Sequence, residues 1–129
     1  MSDSTATTRG VKVTVRSSYV AERSQPAAGR WFFAYRIRIT NRGAVPVRLL
    51  NRHWVITDAH GEVEEVRGPG VVGEQPTLAP GESFEYTSFC PLPTPFGTME
   101  GSYEMVTADG ERFWADIGRF TLSEPLAVN

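Results

Sequence analysis

The sequence predicts an all-β domain, an antiparallel β-sandwich of seven or eight strands of the fibronectin type III or immunoglobulin-like kind. Apolar residues alternate with polar ones through several short segments, which is the spacing of half-buried strands. Turn residues separate these segments at intervals of about ten residues, and no connection is long enough for a parallel crossover. The longest stretch without glycine or proline, residues 11–25, leaves little room for a helical bundle. A closed barrel is the less favoured architecture.

The first half of the chain supplies four of these strands. Residues 11–16 alternate valine with polar residues, and residues 31–40 carry the clearest alternation in the sequence. Residues 47–57 form the next strand, and a turn at residues 58–61 leads into a short return strand at residues 62–67. The side chains that we expect to face the core are Phe33, Tyr35, Ile37, Ile39, Trp54 and Ile56.

The second half is divided by segments rich in glycine and proline. Residues 68–76 predict a long loop, and residues 83–89 predict a strand. Residues 91–97 contain three prolines and predict another loop. The last two strands, residues 99–107 and 112–122, are joined by an Asp-Gly turn that is typical of a hairpin.

We expect a single domain over residues 9–123, with flexible tails at residues 1–8 and 124–129. The polar start predicts no secretory signal, and no apolar run is long enough to predict a membrane span. A single cysteine, Cys90, excludes an internal disulfide and fits a reducing compartment. The expected location is therefore cytoplasmic. An edge near residues 45–47 leaves either a monomer or a weak homodimer open.

Charge is unevenly distributed along the chain. Residues 1–60 carry 10 Lys and Arg against 3 Asp and Glu, whereas residues 61–129 carry 3 against 12, and the net charge is −2. This balance argues against a general nucleic-acid binder. It favours pairing between early and late strands over a free basic surface. A basic stripe of Lys12, Arg16, Arg36 and Arg38 is accordingly expected to lie against Glu85.

The loop at residues 68–76 contains Gly68, Gly70 and Gly73 in the spacing of a dinucleotide fingerprint. That chemistry requires a helix directly after the third glycine, whose N–H groups hold the pyrophosphate. Here Glu74, Gln75 and Pro76 follow, which stops a helix and adds a negative charge. The glycines therefore indicate a packed or tightly turning loop, and the loop's length makes it a candidate for binding.

The remaining candidate groups give weak signals. His53 and His60 are the only histidines, with Asp58 between them, and a hairpin can bring Glu62 or Glu64 near one of them, but the spacing does not match a metal motif. Cys90 is expected to be a buried small side chain rather than a nucleophile. Glu64 and its neighbour Glu65 point to opposite faces of a strand, so they do not form a catalytic pair. We therefore expect neither an enzyme nor a cofactor.

The middle of the chain resembles the ApaG family. The resemblance lies in the segments at residues 51–58 and 68–76, continues through residues 78–82, 84–88 and 99–103, and covers roughly residues 10–123. It implies a fibronectin type III-like sandwich with no established catalytic residues. It also implies a bacterial protein with a genetic link to cobalt and magnesium resistance, under the alternative name CorD. In eukaryotes similar domains are attached to F-box proteins and to a DNA polymerase delta-interacting protein, as interaction modules.

Two hypotheses about function follow. In the first, the domain binds an unidentified protein partner through the loop, with no nucleic acid or membrane involved. The candidate residues are Gly68, Gly70, Gly73, Glu74, Gln75 and Pro76, with Arg52 and His53 on the adjoining surface. In the second, the domain binds a divalent cation or a nucleotide that carries a pyrophosphate, with His53, Asp58 and His60 as weak metal candidates. We favour the first.

Overall fold

The computed structural model describes residues 2–125 as two antiparallel sheets packed face to face. The strands are β1 Ser2–Thr8, β2 Val11–Tyr19, β3 Trp31–Asn41, β4 Val47–Asp58, β5 Val63–Pro69, β6 Thr77–Leu78, β7 Ser83–Leu92, β8 Phe96–Thr107 and β9 Arg112–Ser123. One sheet has the order β1-β2-β3-β7, and the other has the order β5-β4-β8-β9, with the two-residue strand β6 beside β4. Two single-turn 3-10 helices, Ala21–Arg23 and Pro26–Ala28, lie between β2 and β3.

Alternating side chains from the two sheets fill one core, which confirms the predicted sandwich. Phe33, Tyr35, Ile37 and Ile39 all face inward from β3, and Trp54 meets them from β4. The rings of Tyr35 and Trp54 lie 5.4 Å apart in an edge-to-face arrangement, which favours contact between the positive edge of one ring and the negative face of the other. Because the side-chain period of a strand is two, the alternation in the sequence is sufficient to set which face of β3 is buried.

The basic stripe is only partly paired as expected, because two of its four members, Arg36 and Arg38, lie against Glu85. Glu85 on β7 lies 3.0 Å from the guanidinium of Arg36 and 3.7 Å from that of Arg38. Arg16 on β2 pairs with Asp3 on β1 at 3.4 Å. These exposed pairs contribute little stability individually.

The start of the chain differs from the tail that we expected at residues 1–8. Ser2–Thr8 form β1, which pairs with β2 along its whole length. Arg9 and Gly10 both have positive φ and make the tight turn between the two strands, and Ser4 Oγ donates to the carbonyl of Gly118 in the other sheet at 2.8 Å. β1 is therefore held by backbone pairing and by this hydrogen bond, although its sequence lacks the apolar alternation that usually indicates a strand.

Two predicted loops are shorter than their composition indicated. β7 continues to Leu92 and β8 begins at Phe96, so the loop expected at residues 91–97 keeps only residues 93–95. Pro91 fits into β7 because β7 is an edge strand. Likewise Gly68 and Pro69 belong to β5, and the glycine-rich loop is residues 70–76.

At the other end, Glu124 donates its N–H to the carbonyl of Pro95 at 2.9 Å. The rest of the tail expected there, residues 126–129, lies outside the described residues. Within residues 2–125 no helix is both long and apolar enough to cross a membrane.

Candidate functional site

The loop at residues 70–76, hereafter the glycine loop, is fastened to β4. Gly70 N donates to the carbonyl of Leu50 at 2.9 Å, and the side-chain amide of Gln75 donates to the same oxygen at 2.9 Å. Val71 and Glu74 exchange two backbone hydrogen bonds across the loop. The side chain of Val71 is buried in the core. The loop is therefore a fixed part of the sandwich surface, although its composition is that of a mobile segment.

The three glycines of the fingerprint have separate structural uses. Gly68 lies opposite Arg52 in the ladder, and a Cβ at Gly68 would sit 3.0 Å from the guanidinium of Arg52. Gly70 has φ +62°, and a Cβ there would collide with the carbonyl oxygen of Glu74. Gly73 has φ +81°, which glycine adopts without strain. The spacing thus follows from close packing at Gly68 and Gly70 and from the positive φ of Gly73, and no helix follows Gly73 in the described chain.

Arg52 is an inward-facing cation held by backbone carbonyls. Its Nη1 donates to the carbonyl of Pro69 at 2.9 Å and to that of Gly70 at 3.0 Å. In the described part of the chain no carboxylate forms an ion pair with it. The guanidinium therefore keeps hydrogen-bonding capacity that these two carbonyls do not use.

Two cavities flank Arg52. One, the outer groove, is about 620 Å³ and lies on the solvent face of β4, β5, β8 and β9. The other, the inner cleft, is about 510 Å³ and opens between the two sheets on the side of β5 and β7. Both volumes fall within the range of about 300–1,000 Å³ that is usual for ligand sites. Arg52 and Gly68 border the outer groove with His53, and the glycine loop borders the inner cleft through Val71, Val72 and Gly73.

The outer groove has a polar floor and one aromatic wall. The imidazole Nε2 of His53 lies 2.8 Å from Glu65. The hydrogen bond with His53, and to a smaller extent the one from Arg67, lowers the pKa of the Glu65 carboxyl. Asn51 donates to Glu104 at 2.7 Å. Trp114 on β9 stands beside them with 47% of its surface exposed. A half-exposed tryptophan next to satisfied polar groups is typical of an interaction surface.

The inner cleft is lined by aromatic residues and by buried hydroxyl groups. The hydroxyls of Tyr86 and Tyr103 are hydrogen-bonded to each other. Burial raises the pKa of both phenols, and it also raises the pKa of Tyr35. The hydroxyls of Tyr35 and Tyr86, which border the cleft, therefore carry no charge at neutral pH.

The weak metal candidates are not brought together. His53 is engaged with Glu65, while Asp58 Oδ1 accepts the backbone N–H groups of His60 and Glu62 at 2.8 and 3.0 Å. Asp58 thus stabilises the hairpin turn. Among residues 2–125 no three His, Cys, Asp or Glu side chains are grouped so that they could hold a metal ion.

Cys90 faces the inner cleft from β7 and is buried. Burial raises the pKa of its thiol to about 12, and the charge of Glu64 adds to this effect. A thiol with such a pKa is a poor nucleophile at neutral pH. This agrees with the small buried side chain that we expected.

Sequence reasoning did not single out Trp114 or Val72. The sequence carried a signal for Trp114, because it alternates with the inward-facing Ala115 and Ile117 and must therefore face solvent. Val72 stands at the tip of the glycine loop, 57% exposed and with φ +43°. A β-branched residue in the left-handed region is strained, and no pattern in the sequence indicates it. By contrast Trp54, Tyr86 and Tyr103 are buried, and only Trp54 and Tyr86 of these also border the inner cleft.

The two antiparallel sheets, packed face to face, define a fibronectin type III-like sandwich domain. The ApaG domain model matches residues 21–107, and the chain belongs to this family, as its resemblance implied. Protein ApaG of Methylobacterium sp. (strain 4-46) is 59% identical over 120 residues, which are 93% of this chain and 92% of that protein.

Two further relatives extend over nearly the whole chain. Protein ApaG of Anaeromyxobacter dehalogenans (strain 2CP-C) is 56% identical over 126 residues, which are 98% of this chain and 99% of that protein. The crystal structure of the putative ApaA protein from Bordetella pertussis has a TM-score of 0.88 and 52% identity, and it covers 91% of this chain and 95% of that one. The likeness thus extends to the arrangement of both sheets.

Proposed function

We propose that the chain is a non-enzymatic protein-interaction module whose binding surface is the glycine loop together with the two cavities beside it. The observation that carries the proposal is Val72. Its apolar side chain is exposed at the tip of a loop whose neighbours on both sides are tied down, and its backbone is strained. Strain of this kind persists where the surrounding structure imposes it, and it concentrates at binding sites.

The outer groove, which shares Arg52 with the inner cleft, supports the same proposal. Trp114 offers a second exposed apolar surface in the outer groove. Tryptophan contributes strongly at the centres of protein interfaces. The association of the family with cobalt and magnesium resistance would then act through the partner, because His53 bonds to Glu65 while Asp58 accepts backbone N–H groups of its own hairpin turn.

Affinity capture from native lysate with quantitative mass spectrometry tests this proposal. The wild-type chain is compared with Val72→Asn, because asparagine tolerates the left-handed region and removes only the apolar surface. The matched control is Val45→Asn, which changes a valine of similar exposure, 50%, in a different loop. We expect a partner that the control retains and Val72→Asn loses. Identical captured proteins for all three chains, with the fold intact, would contradict the proposal.

A second pair of variants examines the outer groove. Trp114→Ser removes its aromatic wall, and Phe96→Ser removes an aromatic side chain of similar exposure, 45%, at the start of β8. We expect Trp114→Ser to weaken capture of the same partner more than Phe96→Ser does. Equal losses would indicate a general effect of surface hydrophobicity.

A further inference from the structure

One edge of the sandwich is open, and β7 forms it. β7 ends its sheet and pairs only with β3 in the described chain. The backbone N–H of Asn41, the last residue of β3, donates to the carbonyl of Glu82, which comes just before β7. In an antiparallel pair, residues that bond to the neighbour alternate with residues whose N–H and C=O point away. The series of Glu85, Thr87 and Phe89 therefore directs its backbone groups toward the open side.

The other edges are either covered by a neighbouring strand or carry a charge that disfavours pairing with another chain. At the far side of the sandwich β1 lies over β9, joined by the hydrogen bond from Ser4 to Gly118. Across the inner cleft from β7, the edge strand β5 directs Glu64 into the cleft, opposite Ile56. A charge that points inward from an edge strand discourages pairing with another chain. β7 is consequently the edge that is available to an added strand.

The wall of the cleft that faces this edge has a fixed order of chemistry. Arg52, Trp54 and Ile56 face inward along β4, opposite Gly68, Val66 and Glu64 of β5. The cleft thus has a cation at one end, an apolar middle and a carboxylate at the other end. Four residues of strand separate the ends, about 13 Å. Neither Arg52 nor Glu64 has an ion-pair partner among the described residues.

The direction of β7 relative to this order follows from its neighbours. Tyr86 bonds to Tyr103, which is paired with Arg52 in the sheet, so Tyr86 marks the Arg52 end. Ser88 is paired with Tyr35, whose ring meets Trp54. Cys90, the next inward residue of β7, therefore lies toward the Glu64 end. In agreement with this, the charge of Glu64 contributes to the raised pKa of the Cys90 thiol.

We propose that the inner cleft binds an extended segment of a partner protein, which adds antiparallel to β7 and carries a basic, an apolar and an acidic residue at positions i, i+2 and i+4. Alternate side chains of a strand share one face, so these three reach Glu64, Trp54 and Arg52 in turn. The antiparallel direction is the more stable one and fixes the order from basic to acidic. Strand addition of this kind takes affinity from the backbone and specificity from alternate side chains. The inference rests on the proposed function and names its partner chemistry.

Selection from a phage-displayed library of random peptides of about nine residues on the immobilised chain tests the motif. We expect enriched sequences with the order basic, apolar, acidic at alternate positions. A synthetic consensus peptide should bind at least about tenfold more tightly than the same peptide with its two charged residues exchanged. Enrichment of no sequence, or of sequences without this spacing, would overturn the inference.

Three variants make the test specific. Glu64→Lys reverses the charge of a solvent-exposed side chain that lines the cleft, and it should convert the preferred residue at position i from basic to acidic. Arg52 is left intact because it also holds the glycine loop. Thr87→Pro removes the outward backbone N–H at this position without breaking the ladder to β3, because the natural Pro91 occupies an equivalent position in β7. Thr87→Ala keeps this N–H and serves as the control.

We expect Thr87→Pro to abolish peptide binding and Thr87→Ala to retain it. Unchanged selection by Glu64→Lys, or full binding by a folded Thr87→Pro, would refute strand addition. If Val72→Asn still loses a captured partner in that case, the interaction function stands and only the cleft motif fails.

Discussion

The hydrogen bond between the hydroxyls of Tyr86 and Tyr103 allows a quantitative test of the core that underlies the cleft. Tyr103 is fully buried, so Tyr86→Phe leaves its hydroxyl without a partner and without access to water. An orphaned buried polar group lowers the free energy of unfolding by about 1–3 kcal/mol. Tyr86 is 8% exposed and borders the cleft, so in Tyr103→Phe its hydroxyl can turn to solvent. That variant should lose only about 0.5–1.5 kcal/mol.

The double variant distinguishes this account from simple loss of contacts. Replacing both hydroxyls leaves no unsatisfied group, so the double variant should be at least as stable as Tyr86→Phe alone. Urea unfolding followed by tryptophan fluorescence gives the four free energies of the cycle. Near-ultraviolet circular dichroism controls for the packing of the core. Additivity of the two single losses within about 0.5 kcal/mol would refute the reasoning, because it would mean that the two hydroxyls do not interact.

Four further outcomes are expected. The pKa of the Cys90 thiol, raised to about 12, should keep it from reacting with a disulfide reagent at about pH 8 in the folded chain but not in urea. Burial raises the pKa of Tyr35 above its unfolded value, so its contribution to stability is complete below that value and is lost as pH rises. The urea concentration at the unfolding midpoint should accordingly decrease as pH rises above about 10, and it should decrease less in Tyr35→Phe. Val72→Gly should relieve backbone strain and keep or raise stability by up to about 1 kcal/mol, whereas Val71→Ala should lose about 2 kcal/mol. A Cβ at Gly101 would collide with the carbonyl oxygen of His53, so Gly101→Ala should lose more than about 3 kcal/mol or fail to fold, as thermal unfolding would show.

Alternation made most of the fold predictable. β3 is the clearest case, because Phe33, Tyr35, Ile37 and Ile39 fall at every second position and all face the core. β1 was not predictable in this way, because Ser2–Thr8 contain only one apolar residue, Ala6. Its stability depends on backbone pairing with β2 and on the contact between Ser4 and Gly118, which lie more than a hundred residues apart in the sequence. Local pattern carries no information about such a contact.

The candidate site was predictable as a loop but not as a geometry. The glycines indicated close packing, yet the guanidinium that packs against Gly68 could not be identified from the sequence. The reason is a bulge in β4 between Leu49 and Asn51. Counting forward from the buried Leu49 turns Arg52 to solvent, whereas counting back from the inward-facing Trp54 turns it inward, so alternation alone gives two answers and the bulge decides between them. A single extra residue thus moves a charge from the surface to the inner cleft.

The asymmetry of the sandwich ties these features together. A closed sandwich needs both pairs of sheet edges covered, and here β1 covers only the side of β9. On the other side the glycine loop provides partial cover, and it does so by burying Val71 while it leaves Val72 exposed and strained. If the loop served only to close the edge, glycine at the strained position would do so with less strain. Within residues 2–125, the exposed Val72, the Arg52 guanidinium without an ion pair and the open edge of β7 all occur on this one side, and their coincidence is the physical argument for the proposed partner.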